Sequence, residues 1–186
     1  MIGSQDVCSG FFVTQRFVTQ ASQSSWDRRA KLDVFLATPS AQSACGMEDF
    51  MKVVDMHCDT IAALYENKEK GWTLQDNRLH IRLDKMKQGD YLLQNFALFV
   101  CTENCEDPYQ QALTLADCFD RQMALFPEQI GQVRCYNDIL ENQKNGRISA
   151  LLTIEEGAVC QGSLEKLREF YDRGVRMLTL TWNSPN

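Results

Sequence analysis

The pattern of hydrophobic and polar positions changes abruptly near residue 47. Upstream, residues 1–46 are rich in Gln, Ser and Thr, and their short apolar runs follow neither a helical nor a strand period. Such a segment buries too little apolar surface to offset the entropy of ordering it. From Lys52 onward, apolar runs alternate with amphipathic stretches, which is typical of βα units in a parallel sheet. We therefore predict a poorly ordered leader over residues 1–46 and a folded domain over residues 47–186.

The folded domain is predicted to contain four strands and four helices. The strands cover residues 53–57, 92–100, 148–154 and 175–181, and the helices cover residues 61–67, 108–126, 136–144 and 164–171. Ser163 can cap the last helix, and Gly174 can end it. Four parallel βα units amount to half of a (β/α)8 TIM-type barrel, which typically takes about 250 residues. We therefore expect an α/β fold that holds the first half of such a barrel.

Composition and charge narrow the possible partners. The chain has 186 residues, 44% of them hydrophobic, and a formal net charge of -6, so it lacks the excess of Lys and Arg that nucleic-acid binding needs. No segment approaches the roughly 20 apolar residues of a membrane span, and no signal-peptide pattern opens the chain. The eight cysteines are scattered without a CxxC pair, which is typical of reduced thiols. We expect a cytoplasmic protein with no nucleic-acid or membrane partner.

The strongest motif for chemistry lies at the end of the first predicted strand. Asp55, His57 and Asp59 alternate with apolar residues, and side chains two apart on a strand share a face. Barrel enzymes place their catalytic groups at this carboxyl end of the strands. An imidazole nitrogen and carboxylate oxygens on one face suit zinc, which binds such atoms at about 2.0–2.2 Å. The alternative is a buried histidine whose tautomer is held by a carboxylate.

A second candidate, Glu155, lies at the end of the third predicted strand, within residues 153–157 (TIEEG). Its side chain shares the face of Thr153, so it would reach the same barrel mouth as the first motif. There its two oxygens can bridge two cations. An acidic pair ahead of a glycine is also common as a solvated turn, so this motif alone does not decide between the two.

Four sequence blocks of the folded domain, taken together and in their order along the chain, are more specific than any single motif. They are residues 54–60 (VDMHCDT), 94–100 (QNFALFV), 154–158 (IEEGA) and 167–181 (LREFYDRGVRMLTLT). In this order they resemble the amino-terminal part of the membrane (renal) dipeptidase family, peptidase family M19. The resemblance runs from about Lys52 to the last residue and leaves out the leader before Met47. It implies a barrel enzyme that hydrolyses dipeptides to amino acids with a metal-activated water.

The resemblance implies a role for each matching residue. The family's His-x-Asp falls on His57 and Asp59, which would be ligands of a first zinc ion. Its Ile-Glu-Gly-Gly element falls on residues 154–157, so Glu155 would be the catalytic carboxylate that bridges two zinc ions. Glu156 stands where a glycine is frequent and receives no role. The family's substrate-contacting histidine falls on Trp182, whose indole could bind substrate as a wall of the pocket. Alternation along the strand groups Trp182 with Leu178 and Leu180 and favours a place in the core instead.

The chain also departs from the family's pattern. The family takes two further histidines for the second zinc, and an arginine and an aspartate for substrate and proton handling, from strands beyond Asn186. This chain has two histidines, and the second, His80, matches none of those ligands, so we expect it at the surface. A complete site holds two zinc ions, whereas only the first-metal ligands and the bridging Glu155 are present here. We therefore expect a truncated, weakly active or inactive dipeptidase, whose open sheet edges favour homo-oligomers.

Other functions remain open at this level. A barrel metallohydrolase of amidohydrolase type is one alternative, although such enzymes usually open with His-x-His rather than His-x-Asp. Cys58 as a nucleophile is another, although alternation turns it away from the polar face of the strand. The non-enzyme alternative is a fragment that binds a single zinc ion or self-associates.

Overall fold

A computed structural model describes residues 12–14 and 51–182, and its strands and helices belong to one compact unit formed by residues 1–16 and 52–186. The predicted leader lies outside the described residues except for one short strand. The strands are β1 (Phe12–Thr14), β2 (Val53–Asp55), β3 (Tyr91–Phe99), β4 (Ile130–Val133), β5 (Ile148–Glu155) and β6 (Met177–Thr179). The helices are α1 (Thr60–Glu66), α2 (Leu83–Gln88), α3 (Pro108–Leu125), α4 (Tyr136–Lys144) and α5 (Leu164–Asp172).

All strand pairs described are parallel, and the order across the sheet is β1-β6-β5-β3-β2. Strand β3 pairs with β5 along residues 149–155. The other edge of β5 is shared, because β4 pairs with its first half and β6 with its second half. The result is the predicted α/β fold, a parallel sheet that forms half of a TIM-type barrel.

The four predicted helices are confirmed to within about one residue, and their ends follow the predicted signals. Pro108 opens α3, where its missing N–H costs nothing, and the Asp107 side chain caps that helix by accepting from the Gln110 N–H at 3.1 Å. Ser163 caps α5 by accepting from the Lys166 N–H at 3.3 Å. Gly174 follows α5 with φ 103°, a conformation that favours glycine.

The two faces of the sheet differ in character. On β3 and β5, one face is buried and carries apolar side chains except for Gln94, and α1 and α3 pack beside β3 in the same core. Paired residues on parallel strands point to the same side, so Phe96 with Leu152 and Leu98 with Ile154 form the centre of this core. The opposite face carries more polar residues, and it ends at Glu155.

Three elements, β1, β4 and α2, escaped the sequence analysis. Strand β4 has only four residues, and its ends Ile130 and Val133 are buried while the two residues between them are not. Such a short run carries little periodic signal. Strands β2 and β6 are also shorter than predicted: β2 ends two residues earlier, and β6 lacks two residues at each end. Within residues 51–182, none of the helices has the length and hydropathy that crossing a bilayer requires.

Candidate metal centre

Three side chains from distant positions converge at the carboxyl edge of the sheet. His57, Asp59 and Glu155 each offer one ligand atom, and these atoms lie within 4.8 Å of one another. The His57 Nε2 atom is 3.0 Å from Glu155 Oε2 and 3.3 Å from Asp59 Oδ1. The structure therefore brings together all three residues that the sequence analysis named as metal ligands.

The segment that carries His57 is held by β3. Asn95, which is fully buried, donates from Nδ2 to the Met56 carbonyl at 3.1 Å, and its own carbonyl accepts from the Cys58 N–H at 3.0 Å. The Cys58 carbonyl in turn accepts from the Ala97 N–H at 2.9 Å. Because both neighbours of His57 are hydrogen-bonded to β3, the backbone of His57 is held in a defined position at the edge of the sheet. Asn95 was missed as a supporting residue, although a polar residue inside an apolar strand was the available signal.

Asp55 does not join the group, contrary to the alternation expected from the sequence. Asp55 pairs with Gln94 on β3. Cys58 is hydrogen-bonded to both Asn95 and Ala97, so it lies opposite Phe96. Three steps along this segment thus match two steps along β3, so a bulge breaks the alternation. The Asp55 Oδ1 atom instead accepts from the His57 N–H at 3.1 Å.

Asp59 occupies the N-cap position of α1 without acting as a cap. Aspartate at this position normally accepts from a backbone N–H of the first turn. Here the side chain makes no such bond, and its Oδ1 lies near His57 instead. The Asp59 carboxylate thus contributes to the cluster instead of to the stability of α1.

Glu155 is the last residue of β5, and its neighbours across the sheet are Phe99 on β3 and Thr179 on β6. Its side chain is 11% exposed, compared with 42% for His57 and 55% for Asp59. A carboxylate this buried normally needs a cationic or hydrogen-bonding partner. The cluster thus has one buried ligand atom at its base and two partly exposed ones at its rim.

The donor set fits zinc. Two ligands at about 2.1 Å from a tetrahedral ion lie about 3.4 Å apart, by the geometry of such sites. The two separations from His57 Nε2, 3.0 and 3.3 Å, are close to that value. One imidazole nitrogen with two carboxylate oxygens is also a combination that zinc accepts in proteins. The same distances would suit a histidine hydrogen-bonded to a carboxylate, so the fit supports a metal site without requiring one.

The environment of Cys58 disfavours a thiol nucleophile. Burial raises the pKa of the Cys58 thiol to about 11, and a hydrogen bond with Thr60 only partly opposes this. The side chain belongs to the hydrophobic core on the helix-covered side of the sheet. Because the thiolate is the reactive form, Cys58 is suited to packing rather than to attack at neutral pH.

The remaining predicted residues lie in different surroundings. His80 is exposed in the loop before α2 and lies outside the cluster. Trp182 is partly buried, and its ring packs edge-on against Phe99 with the centroids 4.9 Å apart. Glu156, to which the sequence analysis gave no role, is 2% exposed and accepts from the N–H groups of Ala158 and Trp182. Its position beside a ligand-type glutamate was the signal that could have found it.

Dipeptidases are among the known proteins whose sequences resemble this one. The chain is 31% identical over 151 residues to "Dipeptidase 3" of Rattus norvegicus, covering 76% of this chain and 29% of that protein. It is also 31% identical over 118 residues to an uncharacterized dipeptidase of Schizosaccharomyces pombe, covering 58% of this chain and 28% of that protein. The chain therefore spans less than a third of the length of these relatives.

Solved structures show the same fold. The dipeptidase AC, a metallopeptidase of family M19, superposes with a TM-score of 0.64 at 22% identity, covering 73% of this chain and 44% of that one. A metallopeptidase from Rhodobacter sphaeroides, liganded with a phosphinate mimic of the dipeptide L-Ala-D-Ala, gives a TM-score of 0.64 at 21% identity, covering 74% and 47%. The family model for "Membrane dipeptidase (Peptidase family M19)" matches residues 42–186. With that match over most of its length, the chain belongs to the membrane dipeptidase family, peptidase family M19.

Proposed function

We propose that this chain carries the first zinc site of a metal-dependent dipeptidase, with His57, Asp59 and Glu155 as its ligands. The observation that supports this most directly is the convergence of one imidazole nitrogen and two carboxylate oxygens within 4.8 Å. The cluster lies at the carboxyl end of parallel strands, where barrel enzymes hold their catalytic groups. A zinc ion bound there would polarise a peptide carbonyl and make a bound water more acidic.

Glu155 is the proposed catalytic carboxylate, which would bridge to a second zinc ion. Its place at the end of β5, between Phe99 and Thr179, fixes the carboxylate at the base of the cluster. His57 and Asp59 are more exposed and border the side from which a substrate arrives. The rigid strand thus supplies the shared ligand, and the segment after β2 supplies the outer two.

The proposed substrates are dipeptides. Membership of a dipeptidase family supports this class. The division into a leader over residues 1–46 and a catalytic part over residues 47–186 stays a prediction, and the family match begins at residue 42. Homo-oligomer formation stays a prediction.

The isolated 186-residue chain should have weak or negligible dipeptidase activity. Residues 51–182 offer one cluster of three ligand groups, and the whole sequence has only one further histidine, His80. A second zinc ion held by Glu155 alone would lack the remaining donors that a stable site requires. Without it, much of the electrostatic stabilisation that usually dominates such catalysis is missing. For a longer protein that contains this sequence together with the missing ligands, we propose full dipeptidase activity.

Zinc titration of the pure chain tests the site. We expect one zinc ion per chain, measured by calorimetry with a competing chelator. In His57→Ala the affinity should fall about 100-fold or more, since even the outer partners of metal ligands are worth about 10–100-fold. His80→Ala is the matched control, because it removes the other, exposed histidine, and it should bind zinc like the unchanged protein.

The other outcomes separate the alternatives. If the unchanged chain binds no zinc, or if both histidine variants bind alike, the proposed metal site is wrong. Two zinc ions per chain, with rapid dipeptide hydrolysis that a chelator abolishes, would contradict the expectation of weak activity. Binding of one zinc ion with weak or undetectable hydrolysis agrees with the proposal. Hydrolysis that a chelator abolishes would exclude the non-catalytic alternative.

A further inference from the structure

Glu156 has an unusual backbone conformation for a glutamate. Its φ is 97° and its ψ is 94°, and the residue is 2% exposed. Residues other than glycine rarely adopt a positive φ, because the conformation is strained. The surrounding structure must hold such a residue in place, and these residues tend to occur at functional sites. The position directly follows the proposed ligand Glu155. A glycine would meet the backbone demand more easily, so the glutamate side chain needs its own explanation.

The carboxylate of Glu156 joins two segments of the carboxyl edge. One oxygen, Oε1, accepts from the Ala158 N–H at 3.2 Å, and the other, Oε2, accepts from the Trp182 N–H at 3.1 Å. The same two segments also meet through the backbone, where the Gly157 N–H donates to the Leu180 carbonyl at 3.2 Å. Because a carboxylate accepts charge-assisted hydrogen bonds, these bonds hold the backbone of Trp182 in place after β6.

The position of Trp182 matters because of what its ring contacts. The indole packs edge-on against Phe99, with 4.9 Å between centroids and 62° between planes. Trp182 follows β6, whereas Phe99 ends β3, and β5 lies between these strands in the sheet. The contact therefore crosses the end of β5, the strand that carries Glu155. Phe99 is also the direct neighbour of Glu155 and points to the same side of the sheet.

We propose that Glu156 is a positioning residue that holds Trp182 against Phe99, and that these two rings form an apolar wall beside the metal cluster. The wall would select dipeptides with at least one large apolar or aromatic side chain. This inference rests on the proposed function, because it names the substrate class of the same site. Aromatic rings gain from contact with another ring beyond the area they bury.

Fluorescence of Trp182 tests the positioning role in the zinc-loaded chain. The contribution of Trp182 is obtained by subtracting the spectrum of the Trp182→Phe variant, because the sequence contains three tryptophans. In Glu156→Gly the positive φ is accommodated but both hydrogen-bond acceptors are lost. We expect the Trp182 emission to shift to longer wavelength and its quenching by acrylamide to increase, while the thermal midpoint stays equal or rises.

Conservative variants sharpen this experiment. Glu156→Gln keeps one acceptor oxygen, so it should shift the Trp182 emission less than Glu156→Gly. Glu165→Gln, an exposed change in the first turn of α5, is the matched control and should leave the emission unchanged. If Glu156→Gly alters the thermal midpoint but not the emission or quenching of Trp182, Glu156 is merely structural and the positioning role is wrong.

Binding of dipeptide mimics tests the wall. The probes are phosphinate mimics of Ala-Ala, Phe-Ala and Ala-Phe, titrated into the zinc-loaded chain by calorimetry. We expect at least one phenylalanine-containing mimic to bind about tenfold more tightly than the Ala-Ala mimic, a typical gain for apolar contacts in a pocket. This preference should fall to within about twofold in Trp182→Ala and Glu156→Gly, and it should persist in Trp182→Phe, which keeps a ring.

The results also separate the inference from the proposed function. A preference for the phenylalanine mimics that survives in Trp182→Ala would overturn the wall. If zinc binds but no mimic does, the dipeptide site itself is wrong and the substrate preference fails with it. The fluorescence measurements then still decide whether Glu156 positions Trp182, because they need no substrate.

Discussion

The interior of the sheet and its carboxyl edge follow different rules. In the interior, Phe96 and Leu152 are paired across β3 and β5 without exposed surface, and the buried amide of Asn142 donates to two acceptors. At the edge, an imidazole and two carboxylates crowd within 4.8 Å. The interior is therefore held together mainly by apolar packing, whereas the edge gathers side chains whose atoms can bind a metal ion.

This difference separates stability from function along the same strands. At the edge, Asp59 sits at an N-cap without capping, and Glu156 has a positive φ that glycine would tolerate better. Both choices cost stability, and proteins retain such choices mainly where function requires them. Substitutions in the interior should therefore lower the free energy of unfolding and spare zinc binding. Substitutions at the edge should weaken zinc binding and leave the free energy of unfolding unchanged or higher.

Phe96→Ala should show the largest effect. The ring is fully buried and lies 5.9 Å from the ring of Phe119, so its removal leaves a cavity and loses packing. We expect the free energy of unfolding, measured by urea denaturation, to fall by about 3–5 kcal/mol. Leu125→Ala, an exposed apolar position at the end of α3, should change it by less than about 0.5 kcal/mol. Equal losses in the two variants would show that the described core does not dominate stability.

Asn142→Ala should have an intermediate effect. Its Nδ2 donates to the Gly131 carbonyl at 3.0 Å and to Ser149 Oγ at 3.3 Å, so the change leaves acceptors without their donor. The expected loss in unfolding free energy is about 1–3 kcal/mol. Zinc affinity should not change, because Ser149 lies at the opposite end of β5 from the cluster. Asn137→Ala, at an exposed position of α4, is the control. A drop in zinc affinity in Asn142→Ala would contradict the expectation that interior substitutions spare zinc binding.

Asp59→Ser should have the smallest effect on stability, and with the opposite sign. Serine can cap α1 by accepting from its first turn, and the change also removes one of two crowded carboxylates. We expect the metal-free protein to gain about 0.5–1 kcal/mol in unfolding free energy. Zinc affinity should fall about tenfold or more. Asp172→Ser removes the same charge from an exposed helix end, and it should alter neither quantity.

Local sequence signals predicted most of the fold. The strand over residues 148–154 and the helices over 108–126 and 136–144 agree with β5, α3 and α4 to within one residue. Strong periodicity and caps such as Ser163 carry this information because they act between neighbours in the chain. Strand β4 was missed because its pairing with the first half of β5 is a long-range event that four residues do not announce.

For the site, the chain itself determined which residues have metal-binding chemistry: His57, Asp59 and Glu155 could be named from their types and their places at strand ends. Tertiary structure alone decided which of them meet. A bulge against β3 kept the Asp55 side chain out of the metal cluster, and packing of β6 beside β5 brought the Trp182 N–H to the Glu156 carboxylate. Such outcomes depend on register and on contacts between residues far apart in the chain. The period of a single strand contains neither.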